Sequence, residues 1–254
     1  MKSNNPFKVH NIEHLSASKI NLWNSDPAKF IAVYLFGMTS SVGPAACRGT
    51  ATEYALNQKL EHNWNDDKID EYLYGTFEKE CIENNLDIPS DMKAQKEQSA
   101  LKSYYNNAVE LYQNKKPEFY QHKIYYTLHE DLPVPFLGYI DFVFDDSIRD
   151  LKTTGRRPSE FSHGHQRQLA VYSKAFPEKE VWCDYVTPRE AISFQLKNVE
   201  QRLKEVINIS FGLMKFLSFS NDAYELASVF RPNKDSWTWN ADNIKQSTKI
   251  WSND

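Results

Sequence analysis

Asp141 stands inside an otherwise apolar run, Phe136-Leu137-Gly138-Tyr139-Ile140-Asp141-Phe142-Val143-Phe144. A carboxylate in such a strand must be paired or hold a cation, because an unpaired buried charge is costly. Asp145-Asp146-Ser147 reads as a turn, and Asp150-Leu151-Lys152 lies on the strand that returns from it. Side chains alternate with period two along a strand, so Asp150 and Lys152 share a face while Leu151 points into the core. A short hairpin brings Asp141 close to Asp150. Two acids and a lysine on one face suit phosphodiester hydrolysis. That reaction needs an activated water, neutralisation of charge on the phosphoryl oxygens and stabilisation of the leaving oxygen. Magnesium favours a few carboxylates while keeping several waters. Asp141 and Asp150 would hold it, the Leu151 carbonyl could add a backbone ligand, and Lys152 would act as a compact point charge.

The elements that must position these residues follow from pattern. Ser16-Ala17-Ser18 opens a helix with Ile20, Leu22 and Trp23 apolar, a serine at its start being a good N-cap, and Asp26-Pro27 restarts one through Phe30, Val33 and Tyr34. A loop from Gly37 to Pro44 leads to a helix from about Gly49 to Leu60. Residues 66–114 are polar and helical in period, with Leu101, Tyr104, Tyr105, Ala108 and Tyr112 on one stripe, the usual mark of core packing. Strands are expected at 119–128, 134–144, 148–153 and 181–186, and helices at 159–176 and 198–219. The order is helices, three strands, helix, strand, helix, an α/β domain with an antiparallel hairpin at its centre. No element is assigned to the last thirty residues, which contain Trp237, Trp239 and Trp251.

Bulk composition narrows the class. The 254 residues are 41% hydrophobic and 25% charged, ordinary for a soluble globular protein. No apolar run approaches the length of a membrane span, and Met1-Lys2-Ser3-Asn4-Asn5-Pro6 lacks the pattern of a secretory signal, so an intracellular, cytoplasmic protein is expected. Cys47, Cys81 and Cys183 lie far apart in sequence, which argues for buried free thiols over disulfides or a zinc site. A net charge of -4 excludes a cationic body that coats nucleic acid. Positive charge gathers instead in Arg149, Lys152, Arg156, Arg157 and Arg167, with His163 and His165 among them and only Asp150 and Glu160 opposing. Arg156 and Arg157, just past the lysine strand, could clamp phosphates, and a solvated loop is the plain alternative. The two histidines lack a third ligand at suitable spacing, so solvent exposure or DNA contact is expected of them.

Gly138-Tyr139-Ile140-Asp141 followed by Asp150-Leu151-Lys152-Thr153 resembles the PD-(D/E)xK nuclease motif, in the version found in RecB-type domains. Four further pieces match in order. Leu15-Ser16-Ala17-Ser18-Lys19-Ile20 resembles the amino-terminal segment of such domains. Arg48-Gly49-Thr50-Ala51-Thr52-Glu53 resembles the first catalytic motif. Gln168-Leu169-Ala170-Val171-Tyr172 resembles the glutamine–tyrosine helix, and Asp235-Ser236-Trp237 the carboxy-terminal region. Together they span residues 15–239, with 64–116 unmatched. The resemblance implies a PD-(D/E)xK restriction-endonuclease-like core, α-β-β-β-α-β around a central mixed sheet, with added helices. It implies a single nuclease domain over 1–254 with a helical elaboration at about 64–116.

The same resemblance implies catalytic roles for Glu53, Asp141, Asp150, Lys152, Gln168 and Tyr172, with metal at Glu53, Asp141, Asp150 and Leu151. RecB-type domains usually carry histidine where this chain has Glu53; glutamate there resembles phage exonucleases of the lambda type. DNA contacts are implied for Ser16, Ser18, Arg48, Gly49, Thr153, Arg156, Arg157, Gln168 and Tyr172. For Gln168 and Tyr172 a polar helix face packed on the sheet is the alternative, and for Gly49, read at a helix start near phosphate, a simple helix opening. Some relatives hold an iron–sulfur cluster with four cysteines. Asp26, Trp237 and Trp239 stand at the matching places, so no cluster is expected. The function implied is a DNA exonuclease using Mg2+, or Mn2+ in its place, in phage or plasmid recombination, repair or DNA degradation. Its setting would be the cytoplasm, the host's if viral, with a separate recombination or single-strand-binding protein as partner and a dimer or ring as one form it could take. The alternatives are an inactive protein that binds DNA ends or a partner, a structure-specific endonuclease, and a metal hydrolase of a non-nucleic phosphodiester.

Overall fold

The computed structural model describes residues 5–39, 42–113, 115–236 and 238–251. In chain order the elements are α1 (Pro6–Val9), α2 (Ala17–Ser25), α3 (Pro27–Tyr34), α4 (Pro44–His62), α5 (Asp66–Glu83), α6 (Met92–Leu111), β1 (Phe119–Tyr126), β2 (Phe136–Val143), β3 (Ser147–Thr153), α7 (His163–Tyr172), β4 (Glu180–Val186), β5 (Ala191–Gln195), α8 (Val199–Leu217), α9 (Ala223–Ala227) and α10 (Ala241–Ser247). The strands form one mixed sheet in the order β1-β2-β3-β4-β5. β2 and β3 are an antiparallel pair with Phe142 opposite Arg149, which sets Asp141 opposite Asp150. β3 and β4 run parallel, with Asp150 beside Cys183 and Lys152 beside Tyr185. The sheet and its helices make the mixed α/β arrangement that the sequence led one to expect. Among the described residues, no helix is long and apolar enough to cross a membrane.

The chain divides into two compact units, two of whose boundaries fall within β1 and β2. The first comprises 1–40, 123–138 and 200–254. Its Ser16 and Asp26 cap α2 and α3 by accepting the backbone N–H groups of Lys19 and Lys29, and Pro27 supplies the preset first turn of α3. Leu15 pairs in parallel with Phe136. Trp23 sits among Phe30, Phe216 and Phe230, with ring centroids 5.6, 4.8 and 5.8 Å away. The Asp26 carboxylate also accepts the Trp239 indole N–H at 2.8 Å. Trp237 lies outside the described residues, as do Met1 to Asn4 of the amino terminus. The unassigned last thirty residues supply α10, and they bury Trp239 and Trp251 edge to face.

The second unit comprises 41–122 and 139–199. α4, α5 and α6 close on one apolar cluster, in which Cys47, Ala51 and Ala55 meet Ile69, Leu73, Phe77, Cys81, Leu101 and Tyr105. The three- and four-residue spacing of these positions is the face that buries. The stripe on α6 is buried throughout, and Tyr104, Ala108 and Tyr112 pack on Phe142, Phe144, Leu151 and Val186 of the sheet. Residues 66–111 thus form two helices, the second of which is a cover of the sheet as well as an addition to it. Three expectations need correction. α4 begins at Pro44, one and a half turns before Gly49. α7 covers only 163–172, with a short 3₁₀ turn after it. β5 was missed because Ala191-Ile192-Ser193-Phe194-Gln195 is short and half-buried throughout, without the alternation that marks a strand.

Candidate active site

Glu53, Asp141, Asp150, Lys152, Gln168 and Tyr172 all lie in the second unit, from four different elements. Asp141 is buried, and its Oδ2 accepts the Leu151 N–H at 2.8 Å. Asp150 is fully buried; one oxygen sits 2.6 Å from Lys152 Nζ and the other accepts the Gln168 amide at 3.1 Å. Gln168 also donates to the Tyr172 hydroxyl at 2.9 Å, so one helical turn of α7 holds the acid in place. Glu53 reaches the group from α4, where Gln121 Nε2 donates to it and lies 3.4 Å from Asp141 Oδ1. The Tyr120 hydroxyl hydrogen-bonds Glu53 as well.

Tyr120 and Gln121 are the residues that sequence reasoning missed. Neighbours on a regular strand face opposite ways, so both cannot reach one carboxylate. The Gln121 backbone has φ of +48°, in the left-handed region, and this breaks the alternation of β1. Nothing in the aromatic run around it announces that break. Leu151 serves through its N–H, and its side chain is core.

Charge is unbalanced here. Burial first, then Glu53 and Asp150, push the Asp141 carboxyl well above the usual carboxylate range. Glu53 is raised by burial too, although Gln121 and Lys152 work against the rise. For Lys152 burial favours the neutral amine, but Asp150 and Asp141 outweigh it and raise its pKa. The amine therefore stays protonated across neutral pH. Three carboxylates face one lysine, and each of the three accepts an amide N–H, from Gln121, Leu151 and Gln168 in turn.

Several other candidates take different places. Arg48 is buried: its guanidinium pairs with Glu97, lies 4.4 Å from the Tyr104 ring centre and donates to Thr153 Oγ1 and the Thr153 carbonyl, each at 3.2 Å. It ties α4 to β3 and α6, and is not presented for phosphate contact. Gly49 is the sixth residue of α4, past the N–H groups that a helix leaves free, so the expected backbone approach to phosphate is not available. Its requirement is packing, since a Cβ there would lie 3.3 Å from Thr153 Oγ1. Of the basic stretch, Arg149 bonds to buried Asp184 through two contacts of 3.0 Å and Arg167 is buried, which leaves Arg156 and Arg157 exposed. Arg157 pairs with Glu190 at 3.0 Å. His163 is exposed, but His165 is partly buried and bonds the Tyr185 hydroxyl at 2.6 Å, so its expected exposure is corrected. Ser16 is occupied in capping α2 and Ser18 is exposed, both in the first unit. The three thiols are free and buried, but Cys47 and Cys81, distant in sequence, are hydrogen-bonded neighbours, and burial raises Cys81 to about 12.

A model of the PD-(D/E)XK nuclease superfamily matches residues 14–242. The chain belongs to that superfamily. Comparison with curated proteins gives no match. Among solved structures, the one described as the crystal structure of SSO0001 is similar at 14% identity and a TM-score of 0.35, over 74% of this chain and 99% of that one.

Members of this class typically use divalent metal ions. Among the described residues, no three histidine, cysteine or acidic side chains are gathered closely enough to form a finished metal cage. The donor chemistry nevertheless fits a hard cation. Glu53, Asp141 and Asp150 are all oxygen donors, they outnumber the single cation Lys152, and the Gln121 amide marks a point that both Glu53 and Asp141 face.

Proposed function

We propose that the chain is a Mg2+-dependent deoxyribonuclease, an exonuclease acting from DNA ends, with Glu53, Asp141, Asp150 and Lys152 as its catalytic centre. One observation carries this reading: three acids from α4, β2 and β3 converge on a single partly buried lysine, with two of their carboxyls driven up by burial first and by the neighbouring acids next. A bound magnesium or manganese ion would supply that charge and polarise the phosphoryl oxygens. Glu53, Asp141 and Asp150 would hold it. Lys152, beside Asp150, serves as a positive charge for the developing anion. Gln168 and Tyr172 position Asp150. Arg156 and Arg157 supply exposed phosphate contacts beyond the strand end. DNA recombination, repair or degradation in the cytoplasm, with a separate recombination or single-strand-binding partner, is the setting this reading favours. We take 1–254 as one nuclease domain.

The test is digestion of end-labelled linear DNA and covalently closed circular DNA with Mg2+, with Lys152→Ala and Asp150→Asn beside wild type. Loss of linear DNA alone, slowed at least about a hundredfold in both variants, is expected for removal of a charge that acts in the transition state. Cutting of the circle would make it an endonuclease with the same residues. No cleavage with Mg2+ or Mn2+ would leave a protein that binds DNA ends or a partner.

A further inference from the structure

Within the second unit, α4, α5 and β1 enclose a cleft of about 570 Å³, within the ordinary range of ligand pockets. Its wall is aromatic: Tyr54, Tyr72 and Tyr120 all line it. Tyr54 and Tyr72 hold each other edge to face at 5.9 Å, so the rings are already ordered before anything binds. The cleft adjoins the candidate active site directly. Tyr120 lines it and hydrogen-bonds Glu53, and Tyr54 follows Glu53 on the same helix.

Its charge decides what class of group can enter. Glu71 and Glu80 line it against a single lysine, Lys79, which lies 3.8 Å from Glu83 on the exposed side. A phosphate would meet net negative charge there. An uncharged flat ring with N–H donors at its edge would meet aromatic walls, carboxylate acceptors and the hydroxyls of Thr50 and Thr76. Resting on the nuclease reading above, we propose that this cleft receives one unpaired nucleobase of the strand being cut. The base stacks on the tyrosines while its phosphodiester reaches the acids beyond Tyr120. A base held in a duplex cannot enter, so the preferred substrate is single-stranded or frayed at the cut. This gives α5 a role in choosing substrate.

Gly75 makes the inference testable without damage to the fold. It lies in α5, lines the cleft, and a Cβ built on it meets no atom within 4 Å. Gly75→Leu therefore plugs the cleft, and in a helix interior it replaces a poor helix former with a good one. The experiment measures KM and kcat on end-labelled single strands with Mg2+, each strand carrying one abasic residue at a successive position. Thermal melting of Gly75→Leu serves as the fold control, and Tyr54→Leu as a second variant. For wild type, loss of the base at one position should raise KM about tenfold or more, because stacking of one base on aromatic side chains is worth roughly that. Gly75→Leu should show the same rise on the intact strand and no further loss on the abasic one. Equal KM for wild type and Gly75→Leu on intact strands overturns the proposal, and so does an equal penalty on every strand, abasic or not. If wild type cleaves none of the strands, the nuclease reading itself fails first, and a failure of the cleft alone leaves wild-type cleavage intact.

Discussion

At the scale of single residues, the titration of Asp141 is coupled to stability. Its carboxyl is raised by burial and by Glu53 and Asp150. The folded state therefore holds a proton that the unfolded chain releases near its ordinary pKa, about 4. Stability without metal is thus fully supported below that pKa, and falls as pH rises from there toward the folded value. Asp141→Asn removes the titration while leaving an oxygen that can accept the Leu151 N–H. The expected result is a metal-free protein that melts a few degrees higher than wild type at pH 8, the size that about 1 kcal/mol gives in a chain of this length, and shows no gain at pH 4. Cleavage by the variant should be lost. An equal change in melting at both pH values would mean that the strain lies in packing and not in charge. The three acids are thus held in an arrangement that a simple stabilising substitution would relieve, at the expense of the proposed activity.

Between elements, the decisive contact is that of α4 with β3, because it carries Glu53 to Asp150 and Lys152. Gly49 lets the helix lie against Thr153, and Thr153 Oγ1 cannot retreat freely because Arg48 Nε donates to it at 3.2 Å. Gly49→Ala should gain helix propensity but push α4 away, with Glu53 one turn further on moving too. Activity should fall about tenfold or more, and adding Thr153→Ala should return part of it. If the double variant is no better than Gly49→Ala alone, this contact does not set the position of Glu53. Much of this framework was legible beforehand, because period-two and 3.6-residue patterns reveal strands, helices and the shared face of Asp150 and Lys152. What was illegible was three-dimensional. Arg48 looks like a surface cation in sequence, and only the Glu97 and Tyr104 side chains, 49 and 56 positions later, make it a buried brace. Gln121 enters the site through one left-handed backbone angle, which a pattern of apolar and polar residues does not encode.

For the whole molecule, a net charge of -4 means that DNA affinity must come from a few local cations and not from a general field. With Arg156 and Arg157 as the exposed pair past β3, binding measured with Ca2+ in place of Mg2+ should weaken with salt at a log–log slope of only about -2. Arg156→Ala with Arg157→Ala should flatten that slope toward zero and leave the melting temperature unchanged. Arg48→Ala should do the reverse, lowering stability by roughly 3 kcal/mol, the low end for a buried ion pair because Glu97 is partly exposed, with the slope for the folded protein unaltered. A slope that responds to Arg48 instead would return that residue to the DNA-binding surface. The Asp26–Trp239 hydrogen bond sets a clock on synthesis. The two residues are 213 positions apart, so Asp26 leaves the ribosome roughly 10–40 s before its partner is made at ordinary elongation rates. Throughout that interval the Asp26 carboxylate has its N-cap partner in α3 but not its indole. The chain is therefore most exposed to aggregation and proteolysis while it is still being made, and quenching or shift of Trp239 fluorescence would time the end of that exposure.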